Sequence, residues 1–388
     1  MQVAPGRVPR TAGAAHTLCA VTLFKAASTV SLLTLASRVT GLVRDLLMAS
    51  VFGANALTDA FNVAFRIPNL FRRLFAEGAF SQAFVPVLAA TKTQEGEEAT
   101  RVLIRSVATA LAWALVLACV LGVLGAPVLV WLLASGLRQN PEGYDAAVLM
   151  TRWMFPYIGF MSMVALSAGV LNTWKRFAVP AATPVLLNLC MIVAAWWGAP
   201  LLAARGVEPI YAMAGGVMLG GVLQLAAQVP VLHRLGLLPR IGVTWGAVRT
   251  AWQTRQVRRI LTLMAPALLG VGVAQLSLMI NTQIASYLAP GSVTWLFYAD
   301  RLMEFPTALL GVALGVVLTP QLALAKAADD SARYSAMLDW GLRIVVLLAV
   351  PCAVGLLTLA EPLVATLFHY GALRNSDVGQ IASALAGY

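Results

Sequence analysis

Charged residues interrupt an otherwise apolar stretch between residues 37 and 86, and their chemistry is the first clue to function. A charge at the centre of a bilayer costs about 2.5–3.5 kcal/mol even on the mild insertion scale, so such charges usually face a wet cavity or a bundle interior. Arginine dominates the set, and its planar guanidinium binds phosphate through two parallel hydrogen bonds. The stretch therefore predicts a site for an anion that is attached to an apolar molecule. Its charged residues are Arg38, Arg44, Asp45, Asp59, Arg66, Arg72, Arg73 and Glu77.

The spacing of these charges places several of them on common helix faces. Asp59, Arg66 and Arg73 follow one another at intervals of seven residues, which puts them on one side of a continuous helix. A second group lies at 297–306, in FYADRLMEFP, and consists of Asp300, Arg301 and Glu304. Such charges can also be mutually neutralising pairs that fix helix packing, and Arg72 and Arg73 can extend to an interface. We expect the acids to serve packing more often than the arginines.

No enzyme constellation accompanies the charges. The sequence has no GxxxxGK[ST] phosphate loop, no HExxH and no convincing triad, and its three histidines, His16, His233 and His369, are dispersed. We therefore predict a protein that is not an enzyme, with no catalytic residue, no metal site and no cofactor. Any transport would be driven by an ion gradient, the membrane potential or substrate supply, and the sequence does not identify a coupling ion.

The composition indicates an all-α polytopic membrane protein. The chain of 388 residues is 60% hydrophobic and 11% charged, whereas a soluble domain carries about 25% charged residues. Its mean hydropathy is +0.81. The net charge of +11 could suggest nucleic acid, but the basic residues concentrate at helix ends and in short loops, as membrane topology requires. We expect contacts with membrane lipids and none with nucleic acid.

Nine apolar segments are long enough to cross a bilayer, for which a helix needs about 20 residues. The second is too long for one straight crossing, and Pro68, Gly78 and Pro86 are expected to bend it. The nine segments lie near 26–49, 57–90, 102–135, 148–172, 180–204, 209–232, 259–288, 293–325 and 338–369.

The segments divide the chain into four regions. Residues 1–25 weakly resemble a signal peptide but are short of a span, and we expect a disordered extension. Residues 26–232 form a first lobe of helices 1–6, and 233–258 form a basic cytoplasmic loop that includes an interfacial helix. Residues 259–388 form a partial second lobe, with helices 7–9 and the start of a tenth. If the N-terminus is cytoplasmic, thirteen loop Lys and Arg residues lie inside and three outside, which favours this orientation.

A weak internal repeat relates the two lobes at an offset of 235 residues. GAPVLVWLLASG at 125–136 lies over AEPLVATLFHYG at 360–371, which matches Gly136 with Gly371, and the same offset places Arg66 on Arg301. An even number of crossings separates the copies, so the repeat is parallel, with an axis along the membrane normal. The second copy then stops after about three helices, and we expect either a fragment or a bundle that lacks half of one lobe.

Four long motifs resemble the MurJ (MviN) family of lipid II flippases, within the multidrug/oligosaccharidyl-lipid/polysaccharide exporter superfamily. They are SRVTGLVRD, TDAFNVAFRIPNLFRRLFAEGAFSQAFVPVL, LNTWKRFAVPAATPVLLN and SVTWLFYADRLMEFPTALLGVALG. The resemblance covers about 24–388 and implies two six-helix lobes around a central cavity, followed by two helices that form a lipid-tail groove. Family members have about fourteen helices, so the resemblance also implies that this chain is C-terminally incomplete.

The resemblance also implies a function and a set of residues. The function is movement of the undecaprenyl-pyrophosphate-linked peptidoglycan precursor, lipid II, from the cytoplasmic to the periplasmic leaflet of the bacterial inner membrane. The family often has serine where Thr294 stands, and Thr keeps the hydroxyl. Arg66 and Arg73 are secondary candidates from the spacing. The family's functional positions fall on Arg38, Arg44, Asp59, Asn69, Arg72, Arg301 and Glu304.

From the charges and the resemblance together, we expect Arg38, Arg44, Arg72 and Arg301 to face one aqueous cavity and to bind the pyrophosphate. Three alternatives stay open. A related exporter of polysaccharide-lipid or of cationic drugs would share the fold, although a drug antiporter would favour acids over arginines. A membrane-embedded enzyme acting on polyprenyl phosphates would need clustered acids or His with acids. A truncated form that does not transport is the third alternative.

Overall fold

The computed structural model describes residues 11–71 and 79–388, and within these ranges the chain is helical, with no β-strand. The all-α prediction is therefore confirmed. A 3₁₀ turn at Ser135–Gln139 and a π-helical turn at Ala194–Gly198 interrupt the α-helices. The α-helices are α1 (Thr11–Phe52), α2 (Ala56–Phe71), α3 (Phe80–Gln94), α4 (Gly96–Leu124), α5 (Ala126–Ala134), α6 (Pro141–Met154), α7 (Tyr157–Thr173), α8 (Ala178–Val193), α9 (Ala199–Ala203), α10 (Tyr211–Arg234), α11 (Trp245–Gln253), α12 (Arg255–Ser286), α13 (Ser292–Ala327), α14 (Ser331–Thr358), α15 (Ala360–Phe368) and α16 (Asn375–Ala386).

The first helix begins earlier than the sequence predicted. Residues 11–25 were expected to belong to a disordered extension, but α1 is continuous from Thr11 to Phe52. The segment is rich in Ala and Leu, which are strong helix formers, and no proline or glycine pair separates it from the predicted first span. Residues 1–10 lie outside the described ranges.

The predicted spans agree with groups of helices, and three of the nine predicted spans contain more charged residues than the others. Among the described residues, five helical segments are long and apolar enough to cross a membrane, and α12, bent by 48° between Gly270 and Gln275, makes a sixth. The remaining predicted spans are the first, second and eighth, and these carry the charges described above. The nine-span topology and its orientation stay predictions.

The internal repeat is visible in the helix bounds. The third predicted span breaks into α4 and α5, and the ninth breaks in the same way into α14 and α15. Helix α5 (Ala126–Ala134) and helix α15 (Ala360–Phe368) each have nine residues, and both start directly after a break. We call α1–α10 the N-lobe and α12–α16 the C-lobe. These matching breaks support the predicted repeat, and the parallel relation of the two lobes stays a prediction.

Each lobe contributes to the other's core. One buried apolar cluster fills the N-lobe and takes in Ala285 and Val293 of the C-lobe. Another packs Tyr298 and Phe368 of the C-lobe against Ala49 of α1. Because these contacts join the end of α1 to the start of α13, they hold the lobes together on the side where the chain enters α2 and α13.

The basic loop contains a short helix, as the sequence predicted. Helix α11 begins at Trp245, and the hydroxyl of Thr244 caps it by accepting from the backbone N–H of Ala247 at 3.3 Å. Trp245 is 82% exposed. The loop before α11 is fastened to α4, because Trp113 Nε1 donates to the carbonyl of Gly242 at 3.0 Å. An exposed tryptophan on a basic segment is typical of a membrane interface.

Candidate functional site

A buried carboxylate connects the two lobes. Asp45 of α1 is 0% exposed. Its Oδ1 accepts from Nε and Nη2 of Arg44 at 2.8 and 2.6 Å, and its Oδ2 accepts from Nε of Arg301, on α13, at 2.6 Å. Charge-assisted bonds of this length are among the stronger polar contacts in proteins. We call Arg44, Asp45, Arg301 and Glu304 the central ion-pair cluster.

Arg44 is held inside the N-lobe. It is 6% exposed, and its Nη1 donates to Oδ1 of Asn188, on α8, at 3.0 Å. Asn188 in turn donates to the carbonyl of Ser37 at 2.9 Å and to the hydroxyl of Thr40 at 3.2 Å. The guanidinium therefore has countercharge and hydrogen-bond acceptors within its own lobe. A buried arginine satisfied in this way has little freedom to turn towards a ligand.

Arg301 is more accessible. Its side chain is 32% exposed, and its Nη1 donates to Oε2 of Glu304, which is 47% exposed, at 3.0 Å. A glycine makes room for it, because a Cβ at Gly41 of α1 would lie 3.3 Å from Nη2 of Arg301. The guanidinium thus lies against α1 through its Nε side and is open on the side of Glu304.

Arg38 lies on the same face of α1 as Asp45, seven residues and about 10 Å towards the N-terminus. Its side chain is exposed, and none of the side chains that the structure describes forms an ion pair with it. A cavity of about 340 Å³ lies along the same part of α1, lined among others by Thr34, Ser37 and Asn172. Arg38 therefore presents an uncompensated positive charge near the central ion-pair cluster.

A second contact between the lobes centres on Arg66 of α2. Its Nη1 donates to the carbonyl of Leu278 at 3.1 Å and to the hydroxyl of Thr282, both on α12, and its Nη2 donates to Asp300 of α13 at 3.5 Å. The Arg66 side chain is 17% exposed. Arg66 and Arg301 are equivalent in the repeat. The Arg66 contacts described here are to two neutral oxygens and one carboxylate, whereas those of Arg301 are to two carboxylates.

A third contact caps a helix of one lobe with an acid of the other. Asp59 of α2 is 3% exposed. Its carboxylate accepts from the backbone N–H groups of Gly291 at 2.7 Å and Thr294 at 2.8 Å, and from the Thr294 hydroxyl at 2.6 Å. The hydroxyl also accepts from Asn62 at 3.0 Å. An acid at a helix N-terminus is favourable because it satisfies free N–H groups and complements the helix dipole. Asp59 and Thr294 are 235 residues apart, the offset of the repeat.

The structure brings together some of the predicted site residues and separates others. Arg44, Arg301 and Glu304 meet in one cluster, Asp59 meets Thr294, and Arg66 meets the C-lobe elsewhere. Asn69 is half-buried on α2. Arg72 and Arg73, with Glu77, lie outside the described residues.

The expectation that the arginines share an aqueous cavity stays a prediction. In this structure Arg44 is buried, with Asp45 neutralising it within the N-lobe. Arg301 is likewise engaged by Asp45 and Glu304. Among the described charges, Arg38, Arg44, Arg66 and Arg301 are equal in number to Asp45, Asp59, Asp300 and Glu304.

The sequence reasoning missed the residues that organise the arginines. Asp45 was recognised as a charge but not as the link between lobes, because its partner Arg301 is 256 residues away. Asn188 binds Arg44 from within the apolar helix α8, and Thr282 binds Arg66 from the last turns of α12. Asn188 is flanked by Leu187 and Leu189, and an amide between aliphatic residues is a visible signal of a buried polar contact that could have identified it. Thr282 lies between Asn281 and Gln283, so this signal is lacking there.

Comparison with known proteins places this chain in a family. The family model described as "Lipid II flippase MurJ" matches residues 48–388. The chain is 54% identical over 366 residues to "Lipid II flippase MurJ" of Burkholderia cenocepacia, covering 94% of this chain and 70% of the relative. It is 41% identical over 373 residues to "Probable lipid II flippase MurJ" of Vibrio cholerae, covering 94% and 69%.

Solved structures share the fold. "Lipid II flippase MurJ, inward closed conformation" matches with a TM-score of 0.76 at 24% identity, covering 92% of this chain and 71% of that one. An inward-facing multidrug resistance MATE family transporter of the MOP superfamily matches with a TM-score of 0.65 at 14% identity, covering 90% and 76%. The motifs, the two-lobe helical fold and these similarities lead to one conclusion: this multi-pass membrane chain belongs to the MurJ family of lipid II flippases.

Proposed function

We propose that this chain moves lipid II from the cytoplasmic to the periplasmic leaflet of the bacterial inner membrane by alternating access, with its N-terminus in the cytoplasm. Membership of the family supports the substrate. The observation that carries the mechanism is the ion pair between Arg301 and Asp45, because it joins the two lobes and remains partly open to a ligand. An arginine that is both a contact between lobes and accessible can couple substrate binding to lobe movement.

The substrate's chemistry fits these residues. Lipid II combines a pyrophosphate, a polar disaccharide-pentapeptide and a polyprenyl tail. The exposed Arg38 attracts the pyrophosphate first, since no carboxylate in the described part of the chain neutralises it. The pyrophosphate then competes with Asp45 and Glu304 for Arg301, because phosphate oxygens accept the same pair of parallel N–H groups that a carboxylate accepts.

Exchange of partners gives a route to alternating access. When Arg301 binds phosphate instead of Asp45, the two lobes lose a direct contact between α1 and α13. Asp45 keeps its two hydrogen bonds to Arg44, so its charge stays compensated within the N-lobe. The cap that Asp59 places on α13 is then among the contacts that must open for the substrate to leave towards the other leaflet. Rocking of two repeat-related bundles is the usual form of this motion.

The test replaces arginine by lysine, which keeps the charge but loses the planar fork. In a lipid II translocation assay with reconstituted protein, Arg301→Lys should lower the rate by about tenfold or more, the equivalent of one charge-assisted hydrogen bond. Arg44→Lys should impair transport as well, because lysine cannot hold Asp45 and Asn188 together.

Arg343→Lys is the matched control, since Arg343 forms an ion pair with Asp339 while its side chain is 78% exposed. It should translocate at the rate of the unaltered chain. An unchanged rate in Arg301→Lys would mean that charge alone recruits the substrate and that the pyrophosphate does not dock on Arg301. An unchanged rate in Arg44→Lys would mean that transport does not need the hydrogen bonds that Arg44 makes to Asp45 and Asn188.

A further inference from the structure

Two glycines make unusually close contacts between the lobes, and they occupy equivalent positions of the repeat. Gly136 follows α5 in the N-lobe, and Gly371 follows α15 in the C-lobe. A Cβ at Gly136 would lie 2.2 Å from the carbonyl oxygen of Ser286, and a Cβ at Gly371 would lie 2.2 Å from the carbonyl oxygen of Ser50. Real Cβ atoms essentially never approach other atoms within 3.0 Å. Both contacts therefore require glycine as the structure stands.

The partners of the two glycines also correspond. Ser286 is the last residue of α12, and Ser50 lies in the last turn of α1. These helices are the first helix of each lobe, and the two serines differ by 236 residues, within one of the repeat offset. Each lobe therefore places the glycine at the end of its third span against the end of the other lobe's first helix.

Hydrogen bonds surround each glycine. At Gly136, the backbone N–H donates to the Ser286 hydroxyl at 3.1 Å, and the neighbouring Ser135 N–H donates to Oε1 of Gln283 at 3.0 Å. At Gly371, the next residue, Ala372, donates its N–H to the carbonyl of Ser50 at 2.8 Å. Polar contacts at this range break when a methyl group is inserted beside them.

We infer that Gly136 and Gly371 are a matched pair of positioning residues that allow the lobes to close fully on the side of the α1–α2 and α12–α13 turns. The inference rests on the proposed alternating access, because the contacts of Gly136 and Gly371 have to form and separate only if the two lobes move relative to each other. A methyl group at either position collides with backbone, which cannot rotate away as a side chain can. The lobes then have to stay apart at that point, and the open state gains population.

The experiment measures opening directly and needs no lipid II. Val293 belongs to the C-lobe, is 1% exposed and packs in the N-lobe cluster. A Val293→Cys variant, with the native cysteines replaced, reports opening through its rate of maleimide labelling in lipid nanodiscs, where the reagent reaches both faces. Added to this background, Gly136→Ala and Gly371→Ala should each raise the labelling rate by on the order of tenfold, the effect expected of one overpacked methyl group.

The chain provides controls for both variants. Gly215 has open space around it, so Gly215→Ala controls for the added methyl group. Gly371 has a φ of +64°, which strains alanine by itself. Gly206 has a φ of +71° with nothing within 4 Å, so Gly206→Ala reproduces that strain without the contact. Neither control should change the labelling rate.

A variant that adds no atoms keeps the inference testable if Gly136→Ala or Gly371→Ala cannot be purified. Ser286→Ala removes the hydroxyl that accepts from Gly136 and should raise labelling by about threefold, as loss of one hydrogen bond predicts. Labelling of the Gly136 and Ser286 variants at the control rate would overturn the inference, as would equal rates for Gly371→Ala and Gly206→Ala. Such a result would leave the arginine experiment on substrate docking unaffected.

Discussion

The lobes meet through two kinds of polar contact, and the difference between them indicates two separate roles, one in fixing the arrangement of the lobes and one in responding to a ligand. Asp59 is 3% exposed and accepts two of its three hydrogen bonds from backbone N–H groups of the opposite lobe. Arg301 is 32% exposed and is bound only by carboxylate side chains in its described hydrogen bonds. Backbone donors cannot rotate away, so the first contact specifies one arrangement of the lobes. Side-chain partners can be exchanged, so the second contact suits a ligand that competes for it.

The largest effect should follow from removing the charge that the central cluster shares. In Asp45→Asn, the buried Arg44 loses its countercharge, and an unpaired buried charge costs about 3–5 kcal/mol. We expect a large fall in the thermal unfolding temperature in detergent. Size-exclusion chromatography of heated samples measures it. Asp339→Asn breaks an ion pair whose side chains are 60% and 78% exposed and should cost no more than about 1 kcal/mol. Equal losses in the two variants would show that Asp45 is not the structural link.

The next largest effect concerns the contact made by Asp59. Asp59→Asn keeps the size of the side chain but leaves one oxygen for the three donors of Gly291 and Thr294. The new NH₂ group then faces a backbone N–H group, and neither can accept a hydrogen bond. Loss of charged hydrogen bonds costs about 1.5–3 kcal/mol each, and we expect this loss to appear as opening. The labelling rate of Val293→Cys should rise in Asp59→Asn. An unchanged rate would mean that the cap on α13 does not hold the lobes closed.

A pair of substitutions at Thr294 separates the hydroxyl from the backbone in that contact. Thr294→Val removes the hydroxyl that donates to Asp59 and accepts from Asn62, which should cost about 1–2 kcal/mol and moderately raise labelling. Thr294→Ser keeps the hydroxyl and should behave as the unaltered chain. Faster labelling of Thr294→Ser with an unchanged rate in Thr294→Val would show that the methyl group and not the hydroxyl is responsible for closure.

The smallest effect on stability should come from Glu304, the exposed end of the central cluster. Its side chain is 47% exposed, so Glu304→Gln should change the free energy of unfolding by less than about 1 kcal/mol. Its effect on substrate should be opposite in sign to that of Arg301→Lys, because one competitor for the guanidinium is lost. Tighter binding of inorganic pyrophosphate, measured by calorimetry, would support this, and weaker binding would show that Glu304 helps to hold the ligand.

Much of the fold could be predicted from sequence because its signals are local. Apolar segments of bilayer length and loop charge identified the helices, and the match of Gly136 with Gly371 identified the repeat. The start of α1 was wrong because the segment from Thr11 has helical propensity that a search for bilayer-length segments does not weigh. The split of the third and ninth spans was not predicted, although both copies break before a proline, Pro127 and Pro362.

The sequence singled out the members of the central ion-pair cluster as charges in apolar segments, but it did not predict which of them contact one another. The cost of charge in lipid was enough to single out Arg38, Arg44, Arg66 and Arg301. Which acid neutralises which arginine depends on how the two lobes are docked, and no spacing within one helix contains that information. Asp45 and Arg38 are seven residues apart on one face, yet Asp45 binds Arg301 from the other lobe.

The contact between Asp59 and Thr294 has a consequence for how the two halves could have diverged. Residues related by a two-fold axis meet each other only if they lie near that axis, as at the centre of an isologous dimer. A duplicated gene begins with the same residue at both positions. Two aspartates there would place carboxylate against carboxylate, and two threonines would leave the N-terminus of α13 without its anionic cap. The two halves therefore had to acquire different residues at this position. A chain with identical halves could not form the contact between Asp59 and Thr294 that joins the lobes.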